Sequence, residues 1–268
     1  MKQRIRKVLF CIFVLSCIDG GQEILLERSR ASVLGKATCT TEAFREQRLL
    51  PELYQQILKQ DPKGSQQIED LTAVMLNGNF YPERCVFERE PYLRYKYKEY
   101  TELCDLYRMI WNDIKYFPVA SKKVFFEDSW LERRYGEEWL HEGCDLSGED
   151  NKADFYPIIS MTAGTIETVG WTLFDGYRIG VRTPSGGCFY YARLSSYDRS
   201  WKEGDFVEAG EILGFMGDSG GVSEETEGNF SVHLHLGICI RTPYSDTMSV
   251  NPFWVLRAVE KKIKNCVY

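Results

Sequence analysis

This 268-residue chain has three histidines, and all of them fall in two short clusters. His233 and His235 stand one residue apart in SVHLHLGICI, and His141 lies in LHEGCD, four residues before Asp145. Successive side chains of a strand point to opposite faces. His233, His235, Gly237 and Cys239 therefore share one side, while Val232, Leu234, Leu236 and Ile238 make the other side apolar. The even spacing of His141 and Asp145 keeps that pair together in an extended or a helical segment. Imidazole and carboxylate are zinc ligands, with His nitrogen binding at roughly 2.0–2.1 Å. An HxH pair alone is a weak signal, because short motifs recur by chance. The bland reading of the other cluster is a surface histidine beside a solvated aspartate. The confinement of every histidine to these two clusters favours a metal.

The elements that must position these residues change character along the chain. Pro51 opens a helical pattern with Leu53, Ile57 and Leu58 that stops at DPKG, residues 61–64. Ile68, Leu71, Val74 and Met75 repeat the pattern and end at Asn77–Gly78, a C-cap signal. Leu103, Leu106, Tyr107, Ile110 and Ile114 form a third stripe, with Pro118 as its stop. Each stripe reads as a core-facing helix face. From about residue 121, short β-branched and aromatic runs alternate with Gly-rich turns, as in GTIETVGW, YRIGVR and GCFYYARL. This predicts an antiparallel β-rich domain, closed by a short helix in FWVLRAVEKKIKN. The expected fold class is α+β, with an N-terminal helical region over 22–120 and a β-rich domain over 121–268.

Residues 1–21 read as an export segment. Lys2, Arg4, Arg6 and Lys7 precede the apolar run Val8–Ile18, which is too short to span a bilayer as a helix. VLSC, residues 14–17, resembles a bacterial lipoprotein cleavage box and would make Cys17 the lipidated first residue of the mature protein. An ordinary signal peptide or an uncleaved anchor is the alternative. The net charge of −6, with no basic run beyond the first residues, argues against a nucleic-acid partner. Cleavage before Cys17 would remove those four positive charges and leave about −10. Cysteines 39, 85, 104, 144, 188, 239 and 266 then form an odd set whose pairing spacing does not fix. Most read as small buried apolar residues. Cys144, at odd offsets from His141 and Asp145, points to the opposite face. Cys239 faces the way of the HxH pair and reads as a buried packing residue, with a supporting role behind the metal ligands or sensitivity to oxidation as the alternatives.

HxxxD followed some ninety residues later by HxH resembles the lysostaphin/LytM family of zinc metallopeptidases, which cut peptide bonds in bacterial peptidoglycan. The resemblance runs from about Phe126 to Leu256. It takes in SWLERRYGEEWLHEGCD, YPIISMTAGTIETVGW, YYARLSSY, KEGDFVEAGEILGFMGDSG, HLHLGI and NPFWVL, and is strongest to the branch with an added N-terminal region. It implies one Zn²⁺ on His141, Asp145 and His235, with His233 beside the metal as a catalytic base. Three protein ligands leave a fourth position for water, the pattern of a catalytic site. It implies a peptidoglycan peptide as substrate, lying extended in a groove with the 217–231 loop as a wall. It also implies a location at the outer face of the bacterial membrane or in the wall.

One position departs from the family. Its strand motif of the type Tyr-Ala-His reads YYARLSSY here, which puts Arg193 in the histidine position, with Tyr191 expected on the same groove face. A guanidinium supplies charge to an oxyanion but does not serve as a base at neutral pH. Arg193 as an electrophile is one reading. The other is a zinc-binding but catalytically weak wall-binding or regulatory module.

GDSGG, residues 217–221, spells a chymotrypsin-like nucleophile context that would pair Ser219 with His141. Only 78 residues separate the two, too few for that fold, so the glycines read as turn-formers. KEGDFVEAGEILG also resembles hairpins of biotinyl- or lipoyl-type carriers, but no displayed lysine follows.

Overall fold

The computed structural model describes residues 14, 16, 20–78, 87–134, 139–220 and 231–265. Cys17 and most of the expected export segment lie outside these residues, as do 221–230 of the expected groove wall. Among the described residues, no helix is long and apolar enough to cross a membrane.

The N-terminal half is helical: α1 (residues 20–31), α2 (Glu42–Arg45), α3 (Pro51–Gln60), α4 (Gln67–Asn77), α5 (Glu90–Tyr95) and α6 (Tyr97–Trp111). α3 starts on Pro51 and buries Leu53, Tyr54 and Ile57. α4 ends at Gly78, whose φ of 59° is the left-handed geometry of a helix C-cap. α6 buries Leu103, Leu106, Tyr107 and Ile110 but stops well before Pro118. Tertiary bonds draw the chain out of the helix there. Asn112 Nδ2 donates to Ser185 Oγ at 3.1 Å, the Ser185 amide donates to Asp113 at 2.9 Å, and the Lys115 amide donates to Met161 O at 2.8 Å. Ile114, the last residue of the apolar stripe, is buried outside the helix.

Among the described residues twelve strands follow: β1 (Val124–Phe126), β2 (Arg133–Arg134), β3 (Trp139–Leu140), β4 (Cys144–Gly148), β5 (Pro157–Ile159), β6 (Gly164–Thr172), β7 (Gly176–Arg182), β8 (Cys188–Tyr197), β9 (Phe206–Val207), β10 (Ile212–Met216), β11 (His233–Thr242) and β12 (Ser245–Val250). β2 and β3 form a separate two-stranded ribbon. The main sheet runs β1-β4-β11-β8-β7-β6-β9, with β12 on β11 and β10 joining β5 to β8. Every pairing is antiparallel. The closing helix α7 (Phe253–Val259) is shorter than its sequence pattern. Beyond it, Lys262 O accepts the Phe117 amide at 3.0 Å. The fold is thus α+β, with helices preceding an antiparallel sheet.

One face of β11 is sealed in the core: Leu234, Leu236, Ile238 and Ile240 are at most 1% exposed. Cys144 and Leu146 of β4 and Phe189, Tyr191 and Leu194 of β8 join them. The same apolar cluster continues through α3, α4 and α6 to Val255 and Leu256 of α7, so the core crosses residue 120 without interruption. The end of α6 lies against the β7–β8 turn. A Cβ on Gly187 would stand 2.0 Å from Met109 O, so only glycine fits that approach. α2 is bound to the end of β12, where the Asn251 amide donates to Arg45 O at 2.7 Å.

Candidate metal and catalytic site

β4 and β11 are neighbours, and their register sets Asp145 directly opposite His235 and Ser147 opposite His233. Opposed residues of an antiparallel pair project to the same face. The alternation read from HLHLG thus puts both imidazoles beside Asp145, on the side away from the core. His141 arrives from the β2–β3 ribbon, where its amide donates to Glu132 O at 3.0 Å and its carbonyl accepts from Leu131.

Three atoms converge. His141 Nε2 is 3.0 Å from Asp145 Oδ1 and 3.1 Å from His235 Nδ1, and His235 Nδ1 is 3.0 Å from the same Asp145 Oδ1. Among the described residues this is the group of His, Cys, Asp and Glu side chains able to hold a metal ion. Three tetrahedral ligands with bonds of 2.0–2.1 Å stand about 3.3 Å apart, so the triangle matches zinc closely. The proton inventory also fits a cation. His141 Nδ1–H points to Ser129 O at 2.9 Å, with Ser129 Oγ at 3.1 Å, which leaves the Nε2 of a neutral ring as a lone pair. That lone pair faces a carboxylate oxygen and a second imidazole nitrogen. Backbone carbonyls that orient ligating histidines in this way are characteristic of metal sites.

Burial pushes the Asp145 carboxyl up. When the neighbouring imidazoles carry protons, hydrogen bonds from His141 and His235 and the charges of His235 and His233 outweigh burial and hold it far below the usual carboxylate range. The side chains of His141, Asp145 and His235 are 7%, 17% and 21% exposed, so the cluster is recessed yet open to solvent on the His235 side.

His233 stands apart from the triangle. Its Nε2 is 3.9 Å from Asp145 Oδ2, while its Nδ1–H is fixed on Ser231 O at 2.6 Å. The ring therefore turns an unprotonated Nε2 toward the cluster. Burial lowers its pKa, and the charges of Arg193 and His235 add to that against the pull of Asp145 and the Ser231 carbonyl. Arg193 is near enough for its charge to be felt at His233.

Arg193 sits in a β-bulge. Its φ is 66°, a left-handed value, and the pairing register slips on both sides of it. The Arg193 carbonyl accepts the Gly217 amide and its Nη1 donates to Ser219 O, each at 2.9 Å. The bulge overturns one expectation. Tyr191 does not share a face with Arg193; it is fully buried, and its hydroxyl accepts the Met161 amide at 2.8 Å. Tyr190, opposite Gly237, is the tyrosine on the histidine face. Its hydroxyl donates to Asp175 at 2.8 Å.

Other candidates are also placed. Ser219 is 7% exposed, and its hydroxyl donates to Leu194 O at 2.6 Å while accepting the Tyr177 amide, the contacts of a turn rather than a nucleophile. Cys144 is buried, with its thiol toward Glu127 O. Cys239 does lie on the face of the histidines. Sequence reasoning missed Gly143: a Cβ there would sit 2.4 Å from His235 Cε1, so the ring needs a glycine beneath it. It also missed the Ser129 and Ser231 carbonyls. Backbone acceptors leave no mark on side-chain chemistry, whereas a glycine inside HEGCD was a visible signal.

An antiparallel sheet presenting a His–Asp–His triangle, with a further imidazole at its edge, has the residues of a candidate metal site. The profile of peptidase family M23 matches residues 140–252, and the chain belongs to this family. A structure from Ruminococcus gnavus, provisionally named as the glycyl-glycine endopeptidase lytM, is 36% identical. The likeness covers 89% of this chain and 98% of that one, with a TM-score of 0.75. The L-Ala–D-Glu endopeptidase of Bacillus subtilis is 32% identical over 151 residues. That alignment covers 54% of this chain and 44% of the relative, so the chain spans less than half of that protein. The catalytic domain of lysostaphin from Staphylococcus simulans is more distant, at 24% identity over 50% of this chain and 92% of that one, with a TM-score of 0.39.

Proposed function

We propose that the protein is a zinc-dependent endopeptidase that hydrolyses peptide bonds in bacterial peptidoglycan and acts at the cell wall. The observation that carries this reading is the 3.0–3.1 Å triangle of His141 Nε2, Asp145 Oδ1 and His235 Nδ1, with His233 Nε2 free of the triangle at its edge. The relatives' names support the substrate class: one cuts L-Ala–D-Glu bonds and the other is assigned glycyl-glycine cleavage.

His141, Asp145 and His235 would hold one zinc ion, which when bound supplies the Lewis acidity that makes water a nucleophile at neutral pH. His233 accepts a proton at Nε2, because Ser231 O keeps its other nitrogen protonated and its surroundings favour the neutral ring. Arg193 places a permanent positive charge beside His233, where an oxyanion would develop. Its bond to Ser219 O fixes the guanidinium to the turn after β10. The substrate backbone lies along the exposed face of β11 and β8. Residues 1–21 carry the chain out of the cytoplasm, with Cys17 as the point of lipid attachment.

The test is release of new amino termini from purified peptidoglycan by the zinc-loaded protein from residue 22 onward, with His141→Ala as the blank. Release above the blank establishes the endopeptidase. Its absence across several wall chemistries, in protein shown to hold one zinc, overturns the reading in favour of a binding module.

A further inference from the structure

The face of β11 that carries the histidines also carries a cysteine pair, on the same two central strands but beyond the His–Asp–His cluster. Cys188 opens β8 and Cys239 lies in β11, and the register sets them directly opposite each other. Opposed residues of an antiparallel pair share a face and stand about 4.5 or 5.5 Å apart at Cα, depending on the hydrogen-bonding phase. Both distances fall within the roughly 4.4–6.8 Å that a disulfide spans, and the closer, non-hydrogen-bonded phase also brings the Cβ atoms near the separation of about 3.5–4.5 Å that the bond needs. The two thiols are close enough for each to perturb the other's acidity. Neither is bonded to another cysteine. Gly180, beside them on β7, leaves room, since even a Cβ there would stand 3.6 Å from Cys188 Sγ.

Their surroundings divide the pair into an attacking and a resolving thiol. Cys188 is 5% exposed, whereas Cys239 is partly open to solvent. Arg182 stands opposite Cys188, and Arg241 follows Cys239 by two residues and bonds Glu167. Hydrogen bonding from Cys188, helped by Arg182 and Arg241 against burial and Glu167, holds the Cys239 thiol below its ordinary pKa. The same bond and burial push Cys188 up.

We propose that Cys188 and Cys239 form a cross-strand disulfide that staples β8 to β11 when the protein meets an oxidant of the disulfide class. The Cys239 thiolate attacks one sulfur of the oxidant's disulfide, forming a mixed disulfide and expelling one thiolate. Cys188 then loses its proton and attacks Cys239 Sγ, expelling the oxidant's second sulfur as a thiol. Two protein thiols and one oxidant disulfide become one protein disulfide and two oxidant thiols. The bond closes a loop of about fifty residues that contains Arg193, and it joins the strand of Arg193 to the strand of His233 and His235. Nothing in it depends on metal or turnover.

The full chain is equilibrated in glutathione buffers from fully reduced to fully oxidised, trapped with iodoacetamide, digested without reduction and mapped by mass spectrometry. The expected result is a linked peptide joining Cys188 to Cys239 that is lost as the buffer becomes reducing. It should be accompanied by a Tm higher by about 5–10 °C in the oxidised form. Cys239→Ser should abolish both. Separate alkylation of the two residues in the most oxidised buffer would overturn the proposal. So would a glutathione adduct on Cys239 that never resolves onto Cys188, or a link from either residue to a different cysteine. The wild-type map decides even if the serine variant fails to fold.

Discussion

The Arg45 guanidinium and the Glu142 carboxylate meet at 2.7 Å, which binds the N-terminal helices to the residue next to His141. Glu142 also accepts from Ser249 Oγ at 2.9 Å, and Arg45 Nε donates to Ser249 O at 3.1 Å. Three segments distant in sequence thus converge behind His141, a proposed ligand. Arg45→Ala should lower zinc affinity by up to about tenfold, as loss of an orienting contact does. Arg45→Lys should fall between, since it keeps charge but not the two-point geometry. Zinc titration against a competing chelator reads both, and an unchanged affinity in Arg45→Ala would show that this link is not felt at the metal.

Gly143→Ala tests how tightly the His235 ring is held. The added methyl would overlap Cε1 and Nε2 of that ring, at 2.4 and 2.6 Å. The ring must rotate away, and zinc affinity should fall by roughly 10–100-fold. An alanine variant with wild-type affinity would mean the ring has room elsewhere.

His233 and the triangle should separate under mutation. His141→Ala should lose the metal and all activity. His233→Ala should still hold one zinc yet lose about 10²–10⁴-fold in turnover, the worth of a general base. Metal content by emission spectroscopy, beside the amino-terminus release assay, distinguishes them. Loss of zinc from the His233 variant would make His233 a ligand.

At position 193 the backbone narrows the choice of substitute. A φ of 66° disfavours most residues, but His is among those enriched in this region. Arg193→His should therefore preserve or raise activity, whereas Arg193→Ala should cost about 10²–10³-fold in rate. A complete loss in Arg193→His, with the fold intact, contradicts the electrophile role.

Glu167 gives the acid response a sign. Burial raises its carboxyl, but the hydrogen bond and charge of Arg182, with Arg241 beyond, outweigh this and hold it below the ordinary glutamate value. A depressed folded-state pKa means stability that is present above the unfolded value, near 4.3, and lost as pH falls through the lower folded one. The Tm gap between the wild type and Glu167→Gln should be full at pH 6 and should close below about pH 4. A gap independent of pH would show that the pair contributes through packing alone.

The candidate cluster was legible because its chemistry is rare and its spacing regular. Three histidines in two clusters, with alternation along HLHLG, suffice to put His233 and His235 on one face. Register with Asp145 follows once β4 and β11 pair. Tyr191 was misplaced because alternation holds only while the strand stays in phase, and the bulge at Arg193 shifts that phase by one. A non-glycine residue in left-handed conformation carries no sequence signal. The end of α6 was misjudged for a different reason. Its stripe continues to Ile114, but side-chain bonds from Asn112 and Asp113 to Ser185 win over helix continuation, and those partners are some seventy residues away.

The uninterrupted core has a consequence for anyone who would move the family-matched part of this protein about. Residues 140–252 carry every proposed ligand, yet they do not enclose their own interior. Ile110 and Trp111 from α6 and Val255 and Leu256 from α7 belong to the same buried cluster, and the Met109 carbonyl is lodged against Gly187. Cutting at the boundaries of the family match would strip those surfaces bare. The transplantable unit, for fusion to a new wall-targeting module, is the helices and the sheet together.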